Sequence, residues 1–164
     1  MTSDGIVHGS QHAFPARTSS QGAFRYAKHL VREKWGNQLQ VSFMEIPPGK
    51  SAFPYHWHER ITETYVILDG VGRVRGPEGE FEVGPGEVVV FPPGPQGAHR
   101  ITNVGDVPLR YVDLDTVGDP DVCHYPDSAK TAVISSLGVS SWRAADAVAY
   151  YDDEPDAGSS ATDA

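Results

Sequence analysis

The stretch His56-Trp57-His58-Glu59-Arg60-Ile61-Thr62-Glu63 places two histidines two residues apart and a carboxylate five residues after the second. Side chains at positions i and i+2 of an extended strand point to the same face. The spacing therefore predicts that His56 and His58 share one face, while Trp57 occupies the other. Glu63 joins the histidines only if a turn through residues 60–62 resets the alternation. The pattern is typical of metal ligands, and His99 is the candidate for a fourth.

The spacing is too specific for an accident of composition. With 7 His and 17 Gly among 164 residues, His-x-His followed by Glu and Gly at these distances is expected only about 0.002 times by chance. The residues Gly49, His56, His58, Glu63 and Gly70 resemble the first motif of the cupin superfamily, G-x5-H-x-H-x3,4-E-x6-G. This resemblance implies both a fold and a set of metal ligands, which are given below.

A second motif strengthens the likeness. Gly86, Pro92, Gly94, His99 and Asn103 resemble the second cupin motif, G-x5-P-x-G-x2-H-x3-N. One extra residue precedes His56 and two extra residues precede His99 relative to these motifs. Both departures fall in loops, so they leave the identity of the ligands intact. The resemblance covers about residues 38 to 115 and implies a double-stranded β-helix, the jelly-roll barrel of cupins.

The resemblance also implies the metal centre. Its ligands would be His56, His58, Glu63 and His99, which would bind one divalent ion, either Fe, Mn, Zn, Ni, Co or Cu. Nitrogen and oxygen donors of this kind accept all of these ions. The sequence does not choose among them.

The pattern of the middle of the chain independently favours an all-β fold. Residues 39–43 alternate apolar and polar side chains, residues 64–68 are rich in β-branched and aromatic types, and Asp69-Gly70 offers a tight turn. Further Gly- and Pro-rich turns separate short apolar runs at intervals of about 8 to 15 residues. Without long helical periods between the strands, this spacing predicts an antiparallel barrel or sandwich rather than βαβ units.

The length fits one domain, which we divide into four segments. We expect a partly disordered N-terminal extension over residues 1–35, the barrel over 36–120, a C-terminal arm over 121–151 and an acidic disordered tail over 152–164. The arm could pack on its own barrel or on a partner. Residues 22–35 fit either a short helix or a strand. Ser141 could cap a short Ala-rich helix within the arm.

Charge and composition restrict the partners. The net charge is −9, of which residues 144–164 contribute −6. No basic stripe is present, so we expect no nucleic acid partner. No apolar run approaches the length of a membrane span, no secretion signal is visible, and the lone Cys123 allows no internal disulfide. These features predict a cytoplasmic protein without a membrane partner. Trp57, which faces away from the metal, could pack in a second layer or between the subunits of a homodimer.

Three functions remain open. Three imidazoles and a carboxylate leave about two positions of a six-coordinate ion for substrate. We expect an enzyme acting on a small polar or oxygenated molecule, with dioxygenase chemistry leading and with isomerase and lyase chemistry as the other classes that the cupin resemblance implies. Glu63 would be a ligand and a candidate proton carrier, and Tyr65 could offer a hydroxyl from the same face or be a plain core residue. The main alternative is a non-catalytic module that binds or senses a small molecule with the help of the metal. A storage role fits the ligands least.

Overall fold

The computed structural model describes residues 6–34 and 36–155. Across these residues the chain consists of strands and short 3₁₀ turns, with no α-helix. The thirteen strands are β1 Ala16–Gln21, β2 Phe24–Arg32, β3 Leu39–Ile46, β4 Trp57–His58, β5 Glu63–Asp69, β6 Gly72–Gly76, β7 Gly79–Val83, β8 Val88–Phe91, β9 Arg100–Asn103, β10 Leu109–Thr116, β11 Asp121–Tyr125, β12 Lys130–Ser135 and β13 Gly138–Arg143. The 3₁₀ turns are Gln11–Ala13, Pro95–Gly97, Pro126–Ser128 and Ala144–Asp146. None of these turns has the length or apolar character that crossing a bilayer requires.

The strands form an antiparallel double-stranded β-helix, which confirms the predicted all-β jelly roll. A six-stranded sheet has the order β1-β2-β3-β10-β5-β8. The opposing side consists of a four-stranded sheet, β13-β12-β11-β4, and a three-stranded sheet, β7-β6-β9. Several of the strand pairs join segments that are distant in sequence, as in the pairing of β10 with both β3 and β5. This winding brings the two halves of the metal motif to one end of the barrel.

The core is built by alternation along the strands. On β5, Tyr65 and Ile67 are buried, and on β10 Leu109 and Tyr111 are buried, while their neighbours face outward. Burial of a large apolar side chain contributes about 1.5–3 kcal/mol. The core side chains are Met44, Ile46, Ala52, Tyr65, Ile67, Val74, Val83, Phe91, Ile101, Leu109 and Tyr111.

Toward one end of the barrel the inward positions become polar. Asp113 and Asp115 continue the buried alternation of β10, and Asp115 pairs directly with Glu63 of β5. Glu63, Asp113 and Asp115 are all buried. The barrel therefore has an apolar part and a polar part, and the polar part contains the candidate ligands.

Two glycines allow close backbone approaches that the barrel needs. Gly70 has φ of +80°, and a Cβ there would lie 2.8 Å from the Pro108 carbonyl oxygen and 2.9 Å from Leu109 Cα. At Gly97 a Cβ would lie 1.8 Å from the Pro92 carbonyl oxygen. Only glycine fits these contacts without backbone movement. Gly97 matters for the site because it lies in the loop that leads into His99.

Both chain extensions are built onto the barrel. Residues 24–32 form a strand rather than a helix, because β2 pairs with β1 on one side and β3 on the other. The C-terminal arm packs on its own barrel through the pairing of β11 with β4. In place of the short helix that Ser141 could cap, residues 138–143 form β13, whose backbone pairs with β12. Residues 152–155 form exposed turns, and the remainder of the predicted tail, 156–164, lies outside the described residues, as do residues 1–5 of the predicted extension.

Candidate metal centre

Four predicted ligands come from three places in the barrel. His56 directly precedes β4, His58 ends it, and Glu63 begins β5. His99 follows the 3₁₀ turn at Pro95–Gly97 and forms a reciprocal backbone bridge with His56, with N to O distances of 3.1 and 2.9 Å. This bridge fixes the two motifs of the sequence side by side. The side chains of all four residues are largely buried.

The ligand atoms converge on one carboxylate oxygen. Glu63 Oε2 lies 3.0 Å from His99 Nε2, 3.5 Å from His56 Nε2 and 3.8 Å from His58 Nε2. Donors bound to one cation at about 2.1 Å lie roughly 3.0 to 3.4 Å apart. The distances for His56 and His99 are close to this range, and that for His58 is slightly longer.

Each imidazole is oriented by a hydrogen bond from its other nitrogen. His56 Nδ1 donates to the Pro54 carbonyl and His99 Nδ1 to the Gly97 carbonyl, both at 2.9 Å. His58 Nδ1 donates to Asp121 Oδ2 at 2.5 Å. Because Nδ1 is the donor in each ring, a neutral imidazole here directs the lone pair of Nε2 toward Glu63. Such partners on the outer nitrogen are characteristic of histidines that bind metals.

The donor set fits a divalent cation. Glu63 Oε2 is buried and has no hydrogen-bond partner, although three imidazole nitrogens surround it. Lone pairs that face one another in a buried site repel unless a cation or a proton lies among them. His56, His58, Glu63 and His99 would therefore hold the ion.

The protonation of the histidines differs within the cluster. Burial lowers the pKa of His56 to about 4, against the opposing effect of Glu63. Burial also lowers the pKa of His58, but hydrogen bonds to Asp121 and Cys123 and the charge of Glu63 more than offset this effect and raise it to about 11. At neutral pH His56 is neutral. In the metal-free chain a proton on His58 supplies positive charge next to Glu63.

Glu63 itself remains ionised. Burial raises the pKa of its carboxyl, but the nearby imidazoles of His99, His56 and His58 lower it further than burial raises it, so the net shift is downward. An ionised carboxylate is the state that binds a cation.

Tyr65 contacts a ligand rather than the cavity. Its hydroxyl lies 3.2 Å from His99 Nε2, and its ring packs against Phe91 and Tyr111. Burial and the charge of Glu63 raise its pKa well above the ordinary value, so the hydroxyl keeps its proton. A catalytic role for Tyr65 stays a prediction, and from this position it would act through His99.

A cavity of about 420 Å³ opens onto the ligands. This is within the range of small-molecule sites. His56, His58 and Glu63 form its floor, and Tyr125 stacks on His56 with ring centroids 5.9 Å apart. Its remaining lining side chains are Arg17, Tyr26, Lys28, Glu33, Lys34, Gln40, Phe53, Ile61, Asp115, Cys123, Ile134 and Val139. Both extensions thus contribute walls, since residues before β3 and after β10 take part.

Sequence reasoning missed several residues of this site. Asp121 orients His58, and Lys28 and Asp115 line the cavity. Cys123, for which no site role is expected from the sequence, is buried within 4.8 Å of donor atoms of His56 and His58. One signal was available in the sequence of β10. Asp113 and Asp115 occupy the same alternating positions as Leu109 and Tyr111, whose side chains point into the core.

Comparison with known proteins finds one family model that matches part of the chain. Residues 42–115 match the model of the cupin domain. Over 81 residues the chain is 32% identical to an uncharacterized protein of Methanocaldococcus jannaschii, a match that covers 49% of this chain and 55% of that protein. The chain thus spans about half the length of the curated relative it matches.

Two solved structures share the architecture. One is a sugar phosphate isomerase from a cupin superfamily of Silicibacter pomeroyi, at 19% identity and a TM-score of 0.75, covering 87% of this chain and 96% of that one. The other is a predicted oxalate decarboxylase of Thermotoga maritima, at 22% identity and a TM-score of 0.60, covering 69% of this chain and 99% of that one. At these identities the likeness concerns the fold.

Proposed function

Since residues 42–115 match the model of the cupin domain, we propose that the chain is a metal-dependent enzyme acting on a small polar or oxygenated molecule. The observation that carries this proposal is the convergence of the Nε2 atoms of His56, His58 and His99 on Glu63 Oε2. Each ring is held by a separate acceptor on its Nδ1. This arrangement supports a role in binding a metal ion and not only in stabilising the fold.

The donor set favours a reactive site. Three neutral imidazoles and one carboxylate leave a divalent ion with a net charge of about +1 and about two open positions of six. A divalent ion bound here would supply Lewis-acid chemistry, or redox chemistry with O2 if it is Fe(II). Dioxygenase chemistry is therefore the first class to test.

The residues of the chain itself would bind and orient the substrate. The cavity restricts the substrate to a small molecule lying against His56, His58 and Glu63. Lys28 and Asp115 supply polar contacts to the cavity, whereas Ile61 and Phe53 supply apolar ones.

A second candidate is a non-catalytic module that binds or senses a small molecule through the metal. It is favoured by the sequence, which has no clear nucleophile or acid–base motif beyond the ligand set. Both candidates need the metal and the cavity. They differ only in turnover.

Metal analysis followed by activity assays separates the candidates. We expect protein purified without added ions to contain a divalent metal and to consume oxygen with one of three substrate classes, namely catechols, diketones or thiols. Isomerase and decarboxylase assays extend the panel to the activities named for the two structures of the same fold. A metal-loaded protein that binds ligands and turns over none of these substrates supports the sensing module. A protein that contains no metal and acquires none overturns both candidates.

A further inference from the structure

Next to the candidate ligands lies a charged group that the metal motif does not use. Lys28 Nζ is 2.9 Å from Asp113 Oδ2 and 3.8 Å from Asp115 Oδ2, and the side chain of Lys28 is 18% exposed. Gln40 donates from Nε2 to Asp115 Oδ2 at 2.6 Å. Lys28, Gln40 and Asp115 all line the cavity that opens onto Glu63. Lys28 and Gln40 precede the residues that match the cupin domain.

Several polar atoms of this region have no partner within the described part of the chain. They include Asp113 Oδ1 and Asp115 Oδ1, on residues that are only 1% and 7% exposed. Ser42 Oγ and Tyr111 OH, on neighbouring inward positions, are also unpartnered. Buried polar atoms are costly when unsatisfied, and of these four residues Asp115 lines the cavity, so its carboxyl group is the one that a ligand or ordered water would meet.

The charges restrict what such a ligand can present. A negatively charged group would meet the carboxyl groups of Asp115, Asp113 and Glu63. A positively charged group would meet Lys28, which already supplies a cation to these carboxyls. An apolar group would leave the buried oxygens unsatisfied.

A hydroxyl group fits all of these constraints. It is neutral, it donates one hydrogen bond to a carboxyl oxygen, and it accepts hydrogen bonds from an ammonium or an amide. Asp115 offers acceptors, Lys28 offers donors, and the Gln40 amide offers both. More than one hydroxyl is needed to reach these three side chains at once.

We propose that Lys28, Gln40 and Asp115 form a binding site for adjacent hydroxyl groups of the substrate, so that the substrate is a polyhydroxylated molecule whose other end lies at the metal ligands. This inference rests on the proposed function for the metal end of the cavity. The hydroxyl site itself consists only of side chains of this chain.

A pair of probes isolates the hydroxyl site. Both 2-hydroxybutanoate and 2,3,4-trihydroxybutanoate can chelate a metal through the carboxylate and the 2-hydroxyl. They differ only in the two distal hydroxyls, which would reach Asp115 and Lys28. Titration calorimetry would compare the probes on zinc-loaded and on metal-free protein. We expect the trihydroxy acid to bind at least about tenfold more tightly, because hydrogen bonds to charged groups are among the stronger ones.

Variants connect this preference to the proposed residues. Asp115→Leu removes the carboxyl and leaves Lys28 paired with Asp113, and we expect it to abolish the preference. Glu59→Leu is the matched control, because Glu59 contacts His124 outside the cavity, and it should keep the preference. If the thermal transition shows that Asp115→Leu does not fold, Gln40→Leu takes its place, and we expect it to abolish the same preference.

The outcomes distinguish this inference from the proposed function. Equal binding of the two probes to wild type, or a full preference retained in the cavity variants, would mean that the polar atoms hold ordered water only and would overturn the inference. Metal analysis of the same samples tests the proposed function separately. A chain without metal that still prefers the trihydroxy acid retains the hydroxyl site and loses the enzyme assignment.

Discussion

Asp121 Oδ2 accepts a hydrogen bond from His58 Nδ1 at 2.5 Å, between residues 63 positions apart in the sequence. The other carboxylate oxygen of Asp121 accepts the backbone N–H of Arg60 at 2.9 Å. Asp121 is fully buried. The C-terminal arm therefore fixes the orientation of a candidate ligand and the proton on its outer nitrogen.

Removing this carboxylate should weaken metal binding. We expect Asp121→Asn to reduce the affinity for a divalent ion by about 10- to 100-fold, because the partner of a metal-binding histidine sets its orientation and basicity. Chelator competition would measure the change. Asp127→Asn is the matched control, since Asp127 pairs with Arg75 on the surface. An unchanged affinity in Asp121→Asn would show that His58 is not held as a ligand.

Metal uptake should release a proton. Since the pKa of His58 is raised to about 11, its ring is protonated at pH 7 in the metal-free chain, whereas His56, with a pKa lowered to about 4, is neutral. A cation needs the lone pair of His58 Nε2, so binding displaces one proton. Affinity should then rise about tenfold for each pH unit over the neutral range and level off above the pKa of His58.

Calorimetry in buffers of different ionisation enthalpy counts the protons released. We expect about one proton from His58 per metal ion in wild type and a smaller number in Asp121→Asn. Metal binding with no proton release, and an affinity that does not change with pH, would argue against a charged His58.

Cys123 provides a test between two ligand sets. Its sulfur lies within 4.8 Å of donor atoms of His56 and His58, a grouping that could by itself hold a metal ion. Because Glu63 Oε2 is the buried oxygen without a partner, we expect the carboxylate set to bind and Cys123→Ser to keep stoichiometric metal. The cobalt-substituted wild type should show no thiolate-to-metal charge-transfer absorption. Such absorption, lost in Cys123→Ser, would assign the sulfur as a ligand.

The local pattern of the sequence was enough to predict that the candidate ligands lie close together, because strand alternation acts over two residues. To place His56 and His58 on one face, the prediction needed only the alternation within one strand. To add Glu63, it needed one turn. Asp121 and Lys28 could not be found in this way, since strand pairing across the barrel decides which distant side chains meet. The burial of Asp113 and Asp115 could have been predicted, because they continue the alternation of inward side chains that begins with apolar residues on the same strand.

The extensions were harder to predict than the barrel for the same reason. Residues 24–32 have no decisive period, and their pairing with β1 and β3 makes them a strand. Good helix formers lie close to residues 138–143 in the sequence. These residues nevertheless form a strand, because pairing with β12 satisfies their backbone hydrogen bonds. The homodimer and the cytoplasmic location stay predictions.

The metal content of wild type and of His99→Ala tests the central claim most directly. Protein purified without added ions should contain about one divalent ion per chain, and His99→Ala should lose most of it, because His99 Nε2 lies 3.0 Å from Glu63 Oε2. His124→Ala should keep it, because His124 pairs with Glu59 and stacks on Trp57 and belongs to none of the ligand groups among the described residues. Stoichiometric metal in His99→Ala would contradict the four-ligand site.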